Sequence, residues 1–493
     1  MRKFHRWVGL IFSVFIIVFC FSGIMLNHRH ALRHVDVSRS WLPKSYGIKD
    51  WNNGIVRGTL QLGDSLLVYG IGGAWVTDST MQSVRTDNAG IESGADCRRV
   101  SHVVMSTDST LWLAAGYDAY CRRLNDSKWR KVDLPGHSER LSDVAVHADT
   151  IVFLSRSAAY VATAPQYKFS QFTLQAPEGY EPRVSLFKTV WMLHSGELFG
   201  IVGRIVVDIV AIVIIILCIT GILFFFLPYA VRHDRRKGLK GGATRKAKQL
   251  AQSIKLHNKF GRRLIVLTTL IAITGTCLRP PLMIPLVMGS TSPLPFTAQD
   301  SPNPFADKLR AIRWDETAQT WYMSTSEGFY RIADLTTRVR PEAIVPSPPI
   351  SPMGITVFEQ TDSAQWLIGS FSGLFVWNPE SASVSDYFTG KTYERPSGRQ
   401  VGNHMVAGYS HELGGAVFEY DNGLPNLPMP EIFKSQPMSL WNFALELHVG
   451  RCYSPFLGPL SDLFVFIAGS LLTALLITGY ILYNRSHKKS KKQ

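Results

Sequence analysis

The chain has 493 residues, 46% of them hydrophobic and 18% charged, with a mean hydropathy of +0.06. It is too apolar for an ordinary soluble enzyme and too polar for a transporter built only of membrane helices. Lysine and arginine number 52 against 37 acidic residues, a formal charge of +15, so the location of that charge decides between a nucleic-acid partner and a membrane.

Four apolar stretches predict membrane-spanning helices. Residues 7–26, 209–227 and 463–483 contain no charged side chain, and each is long enough to cross a hydrocarbon core of about 30 Å. Residues 264–278 are shorter and reach a spanning length when the helix is extended back to Phe260. The predicted segments are helix 1 (1–27), an insert (28–190), helix 2 (191–228), a basic loop (229–256), helix 3 (257–280), a second insert (281–440), helix 4 (441–484) and a basic tail (485–493).

Basic residues cluster in three short segments on one side of these spans. Residues 1–6, 228–258 and 484–493 carry 17 of the 52 lysines and arginines but only one acidic residue, Asp234. This positive-inside pattern predicts a bacterial inner-membrane protein with both termini in the cytoplasm and both inserts in the periplasm. The charge marks orientation in a lipid bilayer, and no nucleic-acid partner is predicted. No small-x-small cleavage site follows Gly23, which predicts an uncleaved signal anchor.

The two inserts have the pattern of antiparallel β-structure. Short apolar runs recur at steps of 45 and 40 residues in the first insert and of 45 and 39 in the second. Such periods are typical of four-stranded propeller blades. Three blades cannot close a ring, so we predict that the inserts jointly form one β-propeller-like domain, with two separate β-sandwich-like domains as the alternative. Cys97 and Cys121 lie in the first insert, and the sequence leaves a disulfide between them open.

The helical part of the chain contains an internal repeat. Helices 1 and 3 begin with His-x3-Gly, at His5 and His257, and each has a Ser/Thr-Gly pair 17 and 18 residues after its histidine. Helices 2 and 4 begin with Leu-His-x-Gly, at His194 and His448, and each ends in Thr-Gly. The two histidines of a half are 189 residues apart in one half and 191 in the other. These correspondences predict a two-fold arrangement of four helices.

The four histidines fall into two predicted pairs. His5 and His257 lie at the cytoplasmic face, and His194 and His448 lie towards the other side. A single histidine at a membrane interface is usually a boundary residue, but four in register favour a shared role. Two opposed imidazoles can bind a haem iron from both sides, and bundle cores hold such cofactors. No CxxCH sequence occurs, so we predict b-type haem, with two haems per chain.

These motifs resemble the PepSY-associated transmembrane family. The resemblance rests on HRWVG in helix 1, LHSGELFGIVGR leading to ITG in helix 2, HNKFG leading to ITG in helix 3 and LHVG leading to ITG in helix 4, roughly a quarter of the chain. Similar members include dihaem inner-membrane reductases that reduce ferric siderophores on the periplasmic side, so the resemblance implies that the four histidines are axial ligands and metal-binding residues. The propeller-like inserts depart from the small outer modules of the family, which leaves the acceptor open.

Arginines near the histidines suit haem propionates. Arg6, Arg262 and Arg263 lie beside the cytoplasmic histidines, and Arg204 lies inward of the histidine of helix 2. Charges at the lip of a span are costly and often functional. Arg204 and Asp208 are also spaced i,i+4, so a pair between them is equally consistent with the sequence.

Three further histidines, His28, His30 and His34, lie just outside helix 1 and are lower-ranked ligands for the second haem, with a solvated loop as the other interpretation. They matter because a continuous helix from His194 to Leu227 would be about 50 Å long. That length would place the two haems far apart for direct electron transfer.

The sequence therefore predicts an oxidoreductase that passes electrons to a periplasmic acceptor, namely ferric iron in a siderophore or another chelate. No P-loop and no GxGxxG after a strand occur, so the predicted donor is a membrane quinol or a separate cytoplasmic reductase. The alternative from another class is a haem-free, membrane-anchored propeller that acts as a sensor or binding protein. A permease for the chelate is a third reading.

Overall fold

The computed structural model of the protein describes residues 1–335, 339–349, 351, 354–361, 365–394 and 404–490, with side chains described up to residue 485 in the last range. The gaps fall in the second predicted insert, and residues 491–493 of the predicted tail lie outside the described residues. The chain forms two compact units. The helical unit comprises residues 1–32, 182–300 and 440–493, and the β unit comprises residues 33–181 and 301–439.

The helical unit contains ten of the α-helices that the described residues form. They are α1 (Arg2–Asn27), α2 (Arg29–Leu32), α3 (Leu186–Ser195), α4 (Gly200–Arg236), α5 (Lys240–Arg263), α6 (Ile265–Cys277), α7 (Met283–Met288), α9 (Leu440–His448), α10 (Ser454–Leu457) and α11 (Leu460–Ser490); α8 (Glu431–Lys434) belongs to the β unit. Short 3-10 turns cover Glu197–Phe199 and Arg451–Tyr453. The strand pair β14 (Val184–Ser185) and β15 (Ser290–Thr291) also lies in this unit.

Three of these helices are long and apolar enough to cross a membrane. They lie in residues 2–27, 197–236 and 460–485, and the pair α5 and α6, bent by 72°, counts as a fourth if it is one span. Their outward faces are apolar, as at Ile11 and Ile201, whose side chains are 61% and 66% exposed. Apolar side chains turned away from the protein are expected where lipid replaces water. At the centre, Ile16 and Leu475 pack in a core formed by α1, α4, α6 and α11.

Predicted helices 2, 3 and 4 are each divided in the structure. Helix 2 does not run unbroken from residue 191, because α3 ends at Ser195 and α4 begins at Gly200. Gly196 and Gly200 have φ of 80° and 60°, a backbone conformation that favours glycine and turns the chain between the two helices. The repeat has the same break between α9 and α11, where Gly450 and Gly458 have φ of 78° and 55°. Helix 3 is divided at Leu264, between α5 and α6.

The β unit consists of antiparallel sheets, which confirms the prediction of all-β inserts. Among the described residues, five sheets have four strands: β2–β5 (Gly58–Leu62, Ser65–Gly70, Gly73–Thr77, Arg85–Thr86), β6–β9 (Val100–Met105, Thr110–Ala115, Asp118–Arg123, Arg130–Val132), β10–β13 (Leu141–His147, Thr150–Ser155, Ala159–Thr163, Ser170–Phe172), β16–β19 (Leu309–Asp315, Thr320–Thr325, Phe329–Ile332, Glu342–Ile344) and β20–β23 (Ile355–Gln360, Trp366–Ser370, Gly373–Asn378, Ser383–Asp386). A two-stranded sheet joins β24 (Val406–Ser410) to β25 (Ala416–Glu419), and another joins β1 (Asp36–Val37) to β26 (Met438–Ser439).

The first strands of these sheets are neighbours in space. In the described part of the chain, β2, β6, β10, β16, β20 and β24 each pack against the next, and β24 packs against β2. A backbone hydrogen bond from Tyr409 N to Arg57 O, at 3.3 Å, joins the last of them to the start of the first. Cys97 and Cys121 are both free thiols, so no disulfide joins them.

Candidate functional site

The structure brings the four repeated histidines together in two pairs. His5 lies in the first turns of α1, His257 lies on α5, and the other two lie at the ends of the short helices α3 and α9. The ring centroids of His5 and His257, here the first pair, are 6.3 Å apart. Those of His194 and His448, the second pair, are 6.2 Å apart. The pairs therefore have nearly the same spacing, although their interplanar angles differ, at 88° and 42°.

Each histidine contacts the Ser/Thr-Gly pair of another helix, which gives a role to the second half of the repeat. The Nδ1 atom of each imidazole lies 3.0–3.3 Å from a hydroxyl oxygen. The four contacts are His5 with Thr478, His257 with Thr220, His194 with Thr274, and His448 with Ser22. A backbone carbonyl three residues before the hydroxyl also faces each ring, from Leu475, Leu217, Ile271 and Phe19 respectively.

This surrounding fixes the tautomer of all four rings. Each of the four hydroxyl groups donates its hydrogen to the carbonyl oxygen four residues earlier in its own helix, at 2.6–2.8 Å. Its oxygen must therefore accept from the imidazole, and a carbonyl oxygen can only accept. Nδ1 thus carries the proton, and Nε2 has an unshared electron pair. Among the described residues no hydrogen bond engages any of the four Nε2 atoms.

The glycine of each pair makes room for the imidazole. A Cβ atom built on Gly275 would lie 2.7 Å from Cε1 of His194, and one on Gly479 would lie 2.9 Å from Cε1 of His5. At Gly23 the corresponding distance to His448 is 3.1 Å, whereas at Gly221 the distance to His257 is an ordinary 3.8 Å. Three of the four positions therefore require glycine or a displaced ring.

The spacing within each pair suits a metal ion bound between the rings. An imidazole nitrogen lies about 1.1 Å from its ring centroid and a metal–nitrogen bond measures about 2.0 Å, so two imidazoles on opposite sides of one ion have centroids about 6.2 Å apart. The distances in the structure agree with that value. Histidine ligands usually donate their other N–H to a hydroxyl, carbonyl or carboxylate, which orients the ring. The residues present therefore fit bis-histidine ligation of a haem iron at each pair.

The break in helix 2 shortens the distance between the two pairs. The histidines of the second pair contact Ser22 and Thr274 and therefore lie at their level. Ser22 lies 17 residues after His5, and Thr274 lies 17 residues after His257. Along α1 this is a rise of about 26 Å. The sequence predicted that a continuous helix of about 50 Å would separate the two histidine pairs. That prediction is wrong, because α3 folds back beside α6, and α9 folds back beside α1.

The predicted arginines lie near the pairs with partners of their own. Arg6 donates to the hydroxyl of Tyr229 at 2.8 Å, and its guanidinium lies 4.4 Å from the ring centroid of Phe225. Arg262 lies 3.5 Å from the hydroxyl of Tyr483. The side chains of Arg6, Arg262 and Arg263 are all exposed.

Arg204 and Asp208 do not pair with each other. Arg204 forms an ion pair with Glu197 at 2.9 Å, because the turn after α3 brings Glu197 back over the start of α4. Asp208 accepts from Asn27 at 3.0 Å and contacts Nε2 of His28 at 2.9 Å. The i,i+4 alternative for Arg204 is therefore not formed.

The three alternative ligands outside helix 1 are exposed. His28 is engaged with Asp208, and His30 lies on α2. His34 belongs to the β unit, where Nδ1 lies 2.9 Å from the carbonyl oxygen of Ser93 and Nε2 accepts from Arg33 at 3.1 Å.

Arg279 was missed as a site residue by sequence reasoning. It follows α6, near His448, and its side chain is 17% exposed. Its Nη2 atom lies 3.4 Å from Asp462, but neither Nε nor Nη2 has a hydrogen-bond partner in the described residues. A charge at the end of a span could have identified it, since such charges are costly and often functional.

Comparison with known proteins identifies the helical region. The family model described as PepSY-associated TM region matches residues 2–227, which confirms the resemblance seen in the helix motifs. The matched residues include the first two spans and the first insert, while the third and fourth helices lie beyond them. With several apolar helices of spanning length, the chain is a multi-pass membrane protein. No curated protein matches it.

Solved structures match over most of the chain at low similarity. The extracellular domain of a one component system from B. thetaiotaomicron is 10% identical, covers 73% of this chain and 30% of its own, and has a TM-score of 0.35. That of a hybrid two component system from the same organism is 8% identical, with 76% and 40% covered and a TM-score of 0.34. PorZ of Porphyromonas gingivalis is 10% identical, with 70% and 40% covered and a TM-score of 0.22. The chain thus spans less than half the length of these structures.

Proposed function

We propose that this chain, whose residues 2–227 match the PepSY-associated TM region, is a membrane-bound b-type cytochrome with two haems. It carries electrons across the bilayer to a ferric chelate, of which a ferric siderophore is one form, and releases iron in the ferrous state. The donor is a membrane quinol or a separate cytoplasmic reductase.

One observation carries this proposal: four imidazoles, in two pairs of equal spacing, each with Nδ1 bonded and Nε2 unshared. A histidine that served only as a boundary residue would need neither a glycine beneath its ring nor a second histidine about 6 Å away. The first pair would hold one haem and the second pair the other. When bound, haem supplies a centre that accepts and releases one electron.

The protein's own groups orient the imidazoles, balance charge and exclude water. The hydroxyl and carbonyl that accept from each Nδ1–H hold the ring in position and increase the basicity of Nε2. Guanidinium groups of Arg6 and Arg262 lie at the level of the first pair, and Arg279 lies near the second, where positive charge balances propionates. The apolar core around Ile16 excludes water between the two levels.

Aromatic side chains occupy the rise of about 26 Å between the pairs. Phe15 contacts Phe464 at 5.1 Å between ring centroids, and Phe464 contacts Tyr453 at 5.4 Å. Phe19 lies 6.3 Å from the ring of His448. The width of each macrocycle shortens the edge-to-edge distance between the two proposed haems. Electron transfer can cover the remaining distance in one or two steps.

The β unit serves as the site of the acceptor and forms a six-bladed propeller. The ring of first strands β2, β6, β10, β16, β20 and β24 supports that architecture, as do the five four-stranded sheets. This arrangement would place the acceptor outside the membrane in the orientation that the basic segments favour.

Haem content tests the core of the proposal. The full chain, purified in detergent after expression with haem supplied, should give a reduced-minus-oxidised spectrum of b-type with two haems per chain. Replacing both members of one pair, as in H5A/H257A or H194A/H448A, should leave one haem. The matched control is His233→Ala, a 63%-exposed histidine of α4 that contacts Asp234 at 3.7 Å and should keep both haems.

Reduction of the acceptor is tested separately. Reduced protein mixed with ferric citrate or a ferric hydroxamate should be reoxidised, and a ferrous chelator should capture one iron per electron lost. If the protein contains two haems but is not reoxidised by the ferric chelates, the cytochrome proposal stands and the ferric acceptor is rejected. No haem in wild-type protein would overturn the proposal and leave the haem-free sensor or binding protein.

A further inference from the structure

The β unit contains a polar cavity beside the first strands of four sheets, β6, β10, β16 and β20. Arg57, the residue before β2, and Tyr69 of β3 complete its lining. The ionisable members are Arg57, Tyr69, His102, Asp143, Arg313 and Glu359. So many ionisable groups in the interior of a β fold are unusual, because buried charges are costly unless they are paired.

Irregular strands direct these side chains inwards. A β-bulge interrupts each of five first strands at its start, between Val100 and His102, Leu141 and Asp143, Leu309 and Ala311, Ile355 and Val357, and Val406 and Gly408. Bulges re-aim side chains and are common beside functional sites. Four of these five bulges lie at residues that line the cavity.

Part of each guanidinium is committed to the framework. Arg57 donates from Nε to Ser101 O at 3.1 Å and from Nη2 to Ile355 O. Arg313 donates from Nε to Phe358 O at 3.0 Å and from Nη1 to Asp143. Among the described residues, no hydrogen bond engages Nη1 of Arg57 or Nη2 of Arg313.

Two further groups also lack partners. The Tyr69 hydroxyl and the Glu359 carboxyl form no hydrogen bond with any residue that the structure describes. His102 donates from Nδ1 to Val144 O at 2.8 Å, so its Nε2 atom can only accept. The cavity is therefore lined by donors from two arginines and a tyrosine, and by the acceptors of His102 and Glu359.

The charges leave an excess of positive sign. Arg57 and Arg313 line the cavity with the carboxylate of Asp143, which forms an ion pair with Arg313. Burial raises the pKa of Glu359 and so favours its neutral form. Burial, which is the largest cause, and the nearby charges of Arg99 and Arg313 lower the pKa of Arg57 to about 10.

The space restricts the occupant to a few atoms. The cavity measures about 20 Å³ on the scale on which one water molecule needs about 10–15 Å³. A ferric chelate cannot enter it, so this is not the site of the proposed acceptor.

We propose that this cavity is a binding site for a small monovalent anion of the size of chloride or formate. The unshared N–H groups of Arg57 and Arg313 and the hydroxyl of Tyr69 donate to the anion. Glu359 completes the site in its protonated form, as a donor, and repels the anion when ionised. This site is independent of the histidine pairs and does not rest on the cytochrome proposal.

A glutamine at position 359 mimics the protonated carboxyl, which makes Glu359→Gln the decisive variant. Titration calorimetry of the full purified chain at pH 8.5 uses formate or chloride, with ionic strength held constant by gluconate, which is too large to enter. E359Q should bind at least about a hundredfold more tightly than wild type, the effect of one unit charge roughly 5 Å away at an effective dielectric constant of 20. The control is Glu431→Gln, which removes the same charge from an 81%-exposed side chain paired with Lys434, and it should bind as wild type does.

Arg57→Gln should abolish anion binding. If the Arg57→Gln protein does not fold, the increase in affinity of E359Q still tests the proposal. Binding of both probes would assign a site that recognises charge and size, and binding of formate alone would assign a carboxylate site. Absence of binding in wild type and E359Q would mean that the cavity holds water only and would overturn the proposal. Equal affinity in E359Q and wild type would overturn it as well.

Discussion

Replacing Gly275 by alanine should remove the haem of the second pair and leave that of the first. The new Cβ would lie 2.7 Å from Cε1 of His194, whereas ordinary contacts begin at 3.4 Å. The ring must therefore move away by about 0.7 Å, more than the roughly 0.5 Å that a ligand constellation tolerates. Loss of ligand positioning of this kind lowers metal affinity about 10- to 100-fold.

The repeat supplies a matched control for this change. Alanine at Gly221 would place its Cβ at 3.8 Å from Cε1 of His257, an ordinary contact, so G221A should keep both haems. Both substitutions lie inside helices, where alanine is favoured over glycine by up to about 1 kcal/mol in soluble hosts. Helix destabilisation therefore cannot explain a difference between them.

The assay is haem per chain by pyridine haemochrome, with circular dichroism to verify the fold. We expect about one haem in G275A and two in G221A, and a second spectrum at excess haem should show partial recovery in G275A. Equal haem content in the two variants would refute the reasoning, because the glycines would then have no part in seating the imidazoles. Loss from G221A alone would refute it equally.

Three further outcomes follow from individual contacts. Thr274→Val removes the hydroxyl that accepts from His194 Nδ1 at 3.2 Å, and haem affinity at the second pair should fall about 10- to 100-fold, measured by haem transfer to an acceptor protein. Arg279→Gln should lower the midpoint potential of the second haem, because loss of a nearby positive charge favours the oxidised form; a redox titration with an unchanged potential would exclude Arg279 from the site. His102→Asn should flatten the pH dependence of unfolding, since burial lowers the pKa of His102 from 6.5 to about 4 and the unfolded chain takes up a proton first as the pH falls. That linkage costs the wild type up to roughly 3 kcal/mol between pH 6.5 and 4, and parallel pH profiles of the two proteins would contradict it.

The sequence predicted those parts of the site that depend on spacing along the chain. The repeated register identified His5, His257, His194 and His448, and the structure places them in two pairs. The Ser/Thr-Gly pairs were visible in the same register, but their partners lie on other helices. A repeat within one chain does not state which copy contacts which, so their function required the packing.

Other features depended on backbone conformation or on folding back of the chain. The positive φ of Gly196 and Gly200 ends α3 and starts α4, but glycine also occurs inside helices, as at Gly203 and Gly221 of α4, so the residue type alone did not mark the break. The same turn brings Glu197 to Arg204, a partner seven residues away that the i,i+4 rule does not reach. In the β unit, the 40–45-residue period predicted the sheets, but the bulges at the start of the strands that carry Arg313 and Glu359 leave no pattern in the sequence.

The exchange of histidines between helices has a consequence for assembly. His5 of α1 contacts Thr478 of α11, and His448 of α9 contacts Ser22 of α1, so α1, α9 and α11 form one half of the helical unit. In the same way, His194 of α3 contacts Thr274 of α6 and His257 of α5 contacts Thr220 of α4, so α3 to α6 form the other half.

Each proposed haem then takes one ligand from each of these halves, because the first pair joins α1 to α5 and the second joins α9 to α3. The hydrogen bonds orient the rings within a half, whereas only metal ligation connects a ring of one half to a ring of the other. Haem binding should therefore stabilise the association of the halves in proportion to its affinity, as any ligand of the folded state does. If the proposed haems bind, their incorporation would be a step in the assembly of the helical unit, and each histidine would keep its Ser/Thr-Gly contact within its half when haem is lost.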